Sequence, residues 1–185
     1  MPRWFELSGT LSLTGDILFS LDDNEFAGNR MFNAAAAIEC LHRRLHPELE
    51  NEKAADRNRR RRIEAAIPAE DRTWFKGRFI NPHRPIYVER LRSLLDIAGA
   101  PMEPFIRPGR DAWIQQIKTY RNAGAHSLSD GEDITILLRL AQTAEVLMRM
   151  VLWRKLGFSE EACARMAQRD QRWEYLKEAL LVRCP

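Results

Sequence analysis

Cysteine is scarce in this chain: Cys40, Cys163 and Cys184 are spread widely through 185 residues. Three scattered thiols make neither a disulfide framework nor a zinc site, which needs clustered ligands. A reducing cytoplasm is therefore the expected compartment. No apolar run approaches the roughly 18–20 residues of a membrane span, so no membrane partner is expected. The opening residues, Met1-Pro-Arg-Trp-Phe-Glu, lack the charged start, apolar centre and small-residue cleavage site of a secretory signal. A glycine-rich phosphate loop, a paired-cysteine metal site and a nucleophile elbow are missing as well. The expected cofactor and metal complement is none.

Strong net charge is also lacking. Against 29 Lys and Arg stand 26 Asp and Glu, for a formal charge of +3. That balance does not by itself announce a nucleic-acid partner. The distribution says more. Arg57 and Arg59, Arg60, Arg61 and Arg62 form a dense run, followed by Arg72, Lys76, Arg78, His83 and Arg84. Such a run either attracts a phosphate backbone or is a solvated helix face. Arg57 and Arg59 to Arg62 are the candidate RNA contacts.

What is present is mostly helical. Residues 1–20 alternate weakly, with Phe5, Leu7, Leu11, Leu13, Ile17 and Phe19 spaced by two at several points; they read as a short extended lead-in. Residues 25–45 follow as a helix with four consecutive alanines, Ala34 to Ala37, and Asp22 or Asp23 as its cap. Residues 48–67 are highly charged and read as a helical insertion projecting from the core. Residues 69–79 read as a short helix carrying Trp74, Phe75 and Phe79, and residues 81–85 as a turn. An amphipathic helix from Ile86 stops at Gly99. Prolines 101, 104 and 108 predict an irregular linker. Asp111 opens the helix of Trp113, Ile114, Ile117 and Tyr120, and residues 127–131 read as a turn. Residues 133–156 form the longest helix, with Gly157 at its end. Ser159 starts one last helix to about Leu181. The prediction is one all-α domain: a core bundle of four to five main helices over 21–158, with 159–185 as a C-terminal helix. Trp153, Phe158 and Trp173 are expected to fill its core.

Three groups of side chains carry candidate chemistry. Cys40 and His42, two apart on a helix, diverge by about 200° and do not form a reactive pair. His42 and His46 share a helix face, and Glu39 precedes His42 by three. A third and fourth metal ligand are lacking there, and surface histidines are expected. His126 differs because Arg121 and Asn122 lie five and four residues before it. Arginine is permanently charged and forks onto phosphate oxygens. Histidine gives or takes a proton near neutral pH. RNA brings its own nucleophile, the ribose 2′-hydroxyl, so a proton carrier and a cation on the phosphate suffice. Five residues of ideal helix turn through about 500°, placing His126 roughly 140° from Arg121. A break at Gly124, or a second subunit, is needed to join the two. The plainer reading of the pair is a helix end whose side chains meet the last carbonyls.

The stretch Arg121-Asn-Ala-Gly-Ala-His126 resembles the motif of the HEPN superfamily: arginine, a polar residue, then histidine after a short gap. The flanking chain is similar to the ApeA-like branch. Phe32-Asn-Ala-Ala-Ala-Ala-Ile-Glu-Cys-Leu-His-Arg43 resembles its early helix. Tyr87-Val-Glu-Arg-Leu-Arg-Ser-Leu-Leu95 resembles its middle helix. The residues from Leu147, ending Trp-Arg-Lys-Leu-Gly-Phe158, resemble its closing helix. The likeness spans roughly residues 4–158. It implies a helical, metal-independent endoribonuclease acting in anti-phage defence (abortive infection) or as a toxin. It implies a homodimer whose two motifs share one cleft, with RNA as substrate and a sensor domain or regulatory partner. Carried over, Arg121 and His126 are catalytic, Asn122 orients the site, and Glu39 matches the early-helix glutamate beside it. Glu39 also sits four residues before Arg43, where a simple helix ion pair is expected. Some HEPN toxins place a tyrosine two residues after the histidine, where an antitoxin modifies it; this chain has Leu128 there. The competing implication is a non-catalytic HEPN-like module that binds RNA or nucleotides, or dimerises.

Overall fold

The computed structural model describes residues 2–11, 26–78, 81, 83–126 and 133–181; at 2, 123–126 and 178–181 it describes the backbone alone. The described residues are helical, without strands. Their α-helices are α1 (Pro2–Leu11), α2 (Ala27–Leu45), α3 (Ala54–Ala66), α4 (Arg72–Arg78), α5 (Tyr87–Ala98), α6 (Arg110–His126), α7 (Ile134–Lys155), α8 (Glu160–Arg169) and α9 (Gln171–Leu181). No helix among the described residues is long and apolar enough to cross a membrane.

The centre is the packing of α2 on α7. Ala34, Ala35, Ala37 and Ile38 of α2 are fully buried, as are Ala141, Ala144, Leu147 and Met148 of α7. Alanine has no side chain beyond Cβ, so it lets the two backbones approach closely. An ion pair locks the same interface. Arg30 gives two hydrogen bonds to Glu145, at 2.9 and 3.2 Å, with the guanidinium almost wholly buried. Helices α5 and α6 pack against α2, and α5 also against α7. Trp113 of α6 is buried and donates its indole N–H to the Thr143 hydroxyl at 2.8 Å; that hydroxyl donates onward to the Leu140 carbonyl at 3.0 Å. The polar end of the tryptophan is thereby satisfied inside the core.

Helix ends follow local chemistry. Asp133 caps α7 by accepting from the Thr135 amide at 2.9 Å. Gly157 closes α7 at φ +94°, and Gly99 closes α5 at φ +72°, conformations that disfavour any residue with a Cβ.

Four expectations need correction. Residues 2–11 are helix rather than extended lead-in: Trp4, Leu7 and Leu11 recur at three and four, and Leu11 is buried. The proline-rich segment is a 3-10 helix, Ala100–Phe105, whose Pro101, Met102 and Phe105 join the core. The last helix is two helices, because Asp170 accepts from the Arg172 amide at 3.0 Å and starts α9 afresh. Phe158 is 44% exposed, since it follows the Gly157 turn; Trp173 is buried and stacks against Trp153 at 5.3 Å. The expected caps Asp22 and Asp23, the remainder of the lead-in and the turn at 127–131 lie outside the described residues.

The charged insertion forms as predicted. Helix α3 has no buried residue. Its ion pairs, Arg57 and Arg60 with Glu52 and Arg60 with Glu64, lie within the insertion itself.

Candidate active site

Helix α6 carries the motif at its C-terminal end. It runs unbroken from Arg110 through His126, so the break at Gly124 does not occur in the backbone. On a continuous helix positions 121 and 126 lie about 140° apart around the axis. Asn122 is exposed. The His126 side chain is outside the description; its backbone is the last residue of α6.

Arg121 is held from two sides. Its Nη2 donates to Glu39 Oε2 on α2 at 2.8 Å. Its guanidinium carbon lies 4.5 Å from the ring centre of Tyr87, in the first turn of α5. Three helices thus converge on one guanidinium. A carboxylate fixes its direction and an aromatic face supports its plane. The side chain is 35% exposed, so the cation stays reachable from solvent. Arginine has five N–H donors, and the bond to Glu39 leaves others for a phosphate.

Tyr87 is itself anchored: its hydroxyl donates to the Ala35 carbonyl at 3.3 Å. Burial pushes that phenol far above its ordinary range, against the opposing pull of the Arg121 charge. At neutral pH it is a neutral platform and not a proton acceptor.

Glu39 does double duty. Its other oxygen accepts from Arg43 at 2.7 Å, so Glu39 pairs with Arg43 along α2 and with Arg121 across to α6. From Arg43 the charges continue inward. Glu50 lies 3.9 Å from Arg43, 3.3 Å from Arg84 and 2.7 Å from Arg90. Buried Arg90 also donates to the Pro85 carbonyl at 3.0 Å and lies 3.1 Å from His42 Nδ1. His42 is therefore a buried histidine, not a surface one. Its position on the inner face of α2 beside Ile38 and Leu41 puts it in the core. Burial first, then the charges of His46 and Arg90, pull its pKa down to about 4. It is neutral near pH 7 and accepts from Arg90. Its ring stacks 4.8 Å from that of His46. Among the described residues no group of three or more His, Cys, Asp or Glu side chains is placed to hold a metal ion.

The arginine run splits. Arg57 and Arg60 bind Glu52, at 3.4 and 2.7 Å, and Arg60 also binds Glu64 at 3.1 Å. Arg59, Arg61 and Arg62 stand exposed on α3. Among the described residues no direct ion pair joins this run to Arg121. Sequence reasoning found Arg121 and Glu39. It missed Tyr87, Glu50 and Arg90, whose partners lie far away in the chain. The local signal at Tyr87 was merely an aromatic at the start of an apolar helix.

The family described as Apea-like HEPN matches residues 32–162. That span begins within α2 and closes within α8, so it contains the whole Arg121 cluster. No curated protein and no solved structure matches the chain.

Proposed function

This chain belongs to the Apea-like HEPN family, and from that we propose that it is an endoribonuclease that cleaves RNA by attack of the ribose 2′-hydroxyl. The observation that carries the reading is the clamp on Arg121. A bare arginine at a helix end needs no carboxylate and aromatic support; one that must meet a phosphate in fixed geometry does.

The roles follow from the chemistry. Arg121 binds the scissile phosphate and offsets the charge that builds on it. His126 takes the 2′-hydroxyl proton or delivers one to the leaving 5′-oxygen. The 2′-oxygen bonds to phosphorus as the bond to the 5′-oxygen breaks. The products are a 2′,3′-cyclic phosphate and a 5′-hydroxyl, and the balance of atoms requires no added water or metal. Asn122 is exposed one residue beyond Arg121, suited to orient the substrate. The reading includes a homodimer: positions 121 and 126 lie about 140° apart around a continuous helix, so Arg121 of one copy would work with His126 of the other. The biological setting we infer is a cytoplasmic effector of anti-phage defence or a toxin, with a sensor domain or partner controlling it.

The test is cleavage of single-stranded RNA in the presence of a chelator, with Arg121→Ala and His126→Ala in parallel. Wild-type cleavage with cyclic-phosphate ends, lost in both variants, is the expected result. Equal cleavage by all three proteins sinks the proposal. RNA binding without cleavage by the wild type would leave a helical binding module instead.

A further inference from the structure

The ion pairs around Arg121 continue past it in a row. Arg121 and Arg43 each bond one oxygen of Glu39, at 2.8 and 2.7 Å, so the bonding nitrogens stand no more than about 8 Å apart. Arg43 and Arg84 both face the same oxygen of Glu50, at 3.9 and 3.3 Å, which keeps those nitrogens within about 7 Å of each other. Three guanidinium groups, from α6, from α2 and from the segment before α5, therefore follow one another with a carboxylate between each pair.

Depth separates the two signs. The Glu39 and Glu50 side chains are each 20% exposed, whereas those of Arg121, Arg84 and Arg43 are 35%, 37% and 45% exposed. The carboxylates lie beneath and the cations stand over them. Glu50 is also drawn inward: its Oε1 lies 2.7 Å from Arg90, whose side chain is 2% exposed. That buried cation takes up much of the Glu50 charge. Four arginines share two carboxylates, and the excess positive charge is left on the outer face. Arg43 has most to spare. Among the described residues its guanidinium gives one hydrogen bond, to Glu39, and Glu50 at 3.9 Å is beyond hydrogen-bonding range. An arginine has five N–H donors, and two on one edge fork onto a phosphate.

We propose that Arg43, followed by Arg84, binds the phosphates next to the one held by Arg121, so that the row is a track for one RNA strand leading into the cleavage site. Successive phosphates of a strand meet successive cations, as in a positively charged groove that follows the backbone. Base identity plays no part, because these donors meet phosphate oxygens alone. The track rests on the RNA-cleaving reading given above and adds to it the residues that hold the strand on one side of the cut.

An RNA strand 2′-O-methylated at every residue but one tests this with the full chain, because only the free 2′-hydroxyl can attack and the cut falls at one known phosphate. Replacing the phosphate before or after it by an uncharged methylphosphonate removes one anion at a time. Arg43→Gln is expected to lower kcat/KM on the all-phosphate strand about tenfold, mostly through KM. With the methylphosphonate on the side that Arg43 serves, the wild type should fall by a similar factor and Arg43→Gln no further. Arg43→Lys, which keeps the charge, should retain most of the activity on the all-phosphate strand. Binding of a fully 2′-O-methylated strand, followed by anisotropy at rising salt, reads the contact apart from cleavage. The slope of log K against log salt should shrink by about 0.7 in Arg43→Gln, and by a similar step in Arg84→Gln. A methylphosphonate that costs the wild type and Arg43→Gln equally on both sides, or an unchanged salt slope, would overturn the track and leave the nuclease standing, with Arg43 a structural partner of Glu39. A reduced slope in the variants, with no cleavage by the wild type, would keep the track and sink the nuclease.

Discussion

Removing Glu39 separates a positioning role from mere charge. Glu39 Oε2 meets Arg121 Nη2 at 2.8 Å, with the side chains 20% and 35% exposed. A charged hydrogen bond contributes about 1.5–3 kcal/mol net, and partial exposure argues for the lower end. Glu39→Gln keeps an acceptor at the same place and loses the charge, which is about half of that, or roughly 1 kcal/mol. Glu39→Ala loses all of it and frees the arginine to explore other rotamers, which costs up to about 2 kcal/mol to reverse when a phosphate binds. If Arg121 must be held for catalysis, kcat falls about fivefold in Glu39→Gln and tenfold to a hundredfold in Glu39→Ala. Affinity should move the other way. Glu39 also restrains Arg43 at 2.7 Å, so its loss unmasks two cations and raises the net charge by one. RNA binding should tighten slightly and depend more steeply on salt. Single-turnover cleavage of a fluorophore–quencher RNA, with anisotropy titrations at two salt concentrations, reads both quantities. Glu39→Ala with undiminished kcat, while Arg121→Ala is inactive, would refute the claim that the ion pair positions Arg121. A fall in both kcat and affinity with a lowered melting temperature would assign Glu39 to folding alone.

Other consequences are simpler to check. His42 titrates at about 4 in the folded chain against an ordinary 6.5. The unfolded chain therefore binds the proton first, and the stability this contributes is present above pH 6.5 and lost as pH falls towards 4. Urea midpoints from pH 7 to 4 should show a decline of at most about 3 kcal/mol, and His42→Asn should flatten it. Trp113→Phe deletes the buried donor to Thr143 and leaves a void where the indole packed; a loss of about 2–3 kcal/mol is expected by chemical denaturation. Gly157→Ala places a Cβ at φ +94° and should cost roughly 1–2 kcal/mol. If the active site is shared between two copies, mixing inactive Arg121→Ala and His126→Ala proteins should recover about a quarter of wild-type activity, since half the dimers are mixed and each has one intact site. No recovery after verified subunit exchange would place the whole site in one chain.

Periodicity and local chemistry determined much of this protein from the sequence alone. The apolar stripe of α7, the alanine run of α2 and the end of α5 at Gly99 are properties of neighbouring residues, and neighbours in sequence are neighbours on a helix. The motif arginine, its histidine and the Glu39–Arg43 pair were legible for the same reason. Where local signals conflicted, the tertiary context decided. Weak alternation in residues 2–11 became helix because Leu7 and Leu11 could then pack against the bundle. Pro101 became core because a 3-10 helix tolerates proline in its first turn while Met102 and Phe105 are buried beside it; Pro104 stays exposed. What no local pattern contained is the surroundings of Arg121. Tyr87 and Glu39 lie 34 and 82 residues before it in the chain, and the packing of α5 and α6 on α2 is what brings them within bonding distance. The same packing buries His42, which by its own pattern read as a surface residue. A side chain's chemistry is written in its identity, but its partners, its exposure and the proton it carries are set by which helices meet around it.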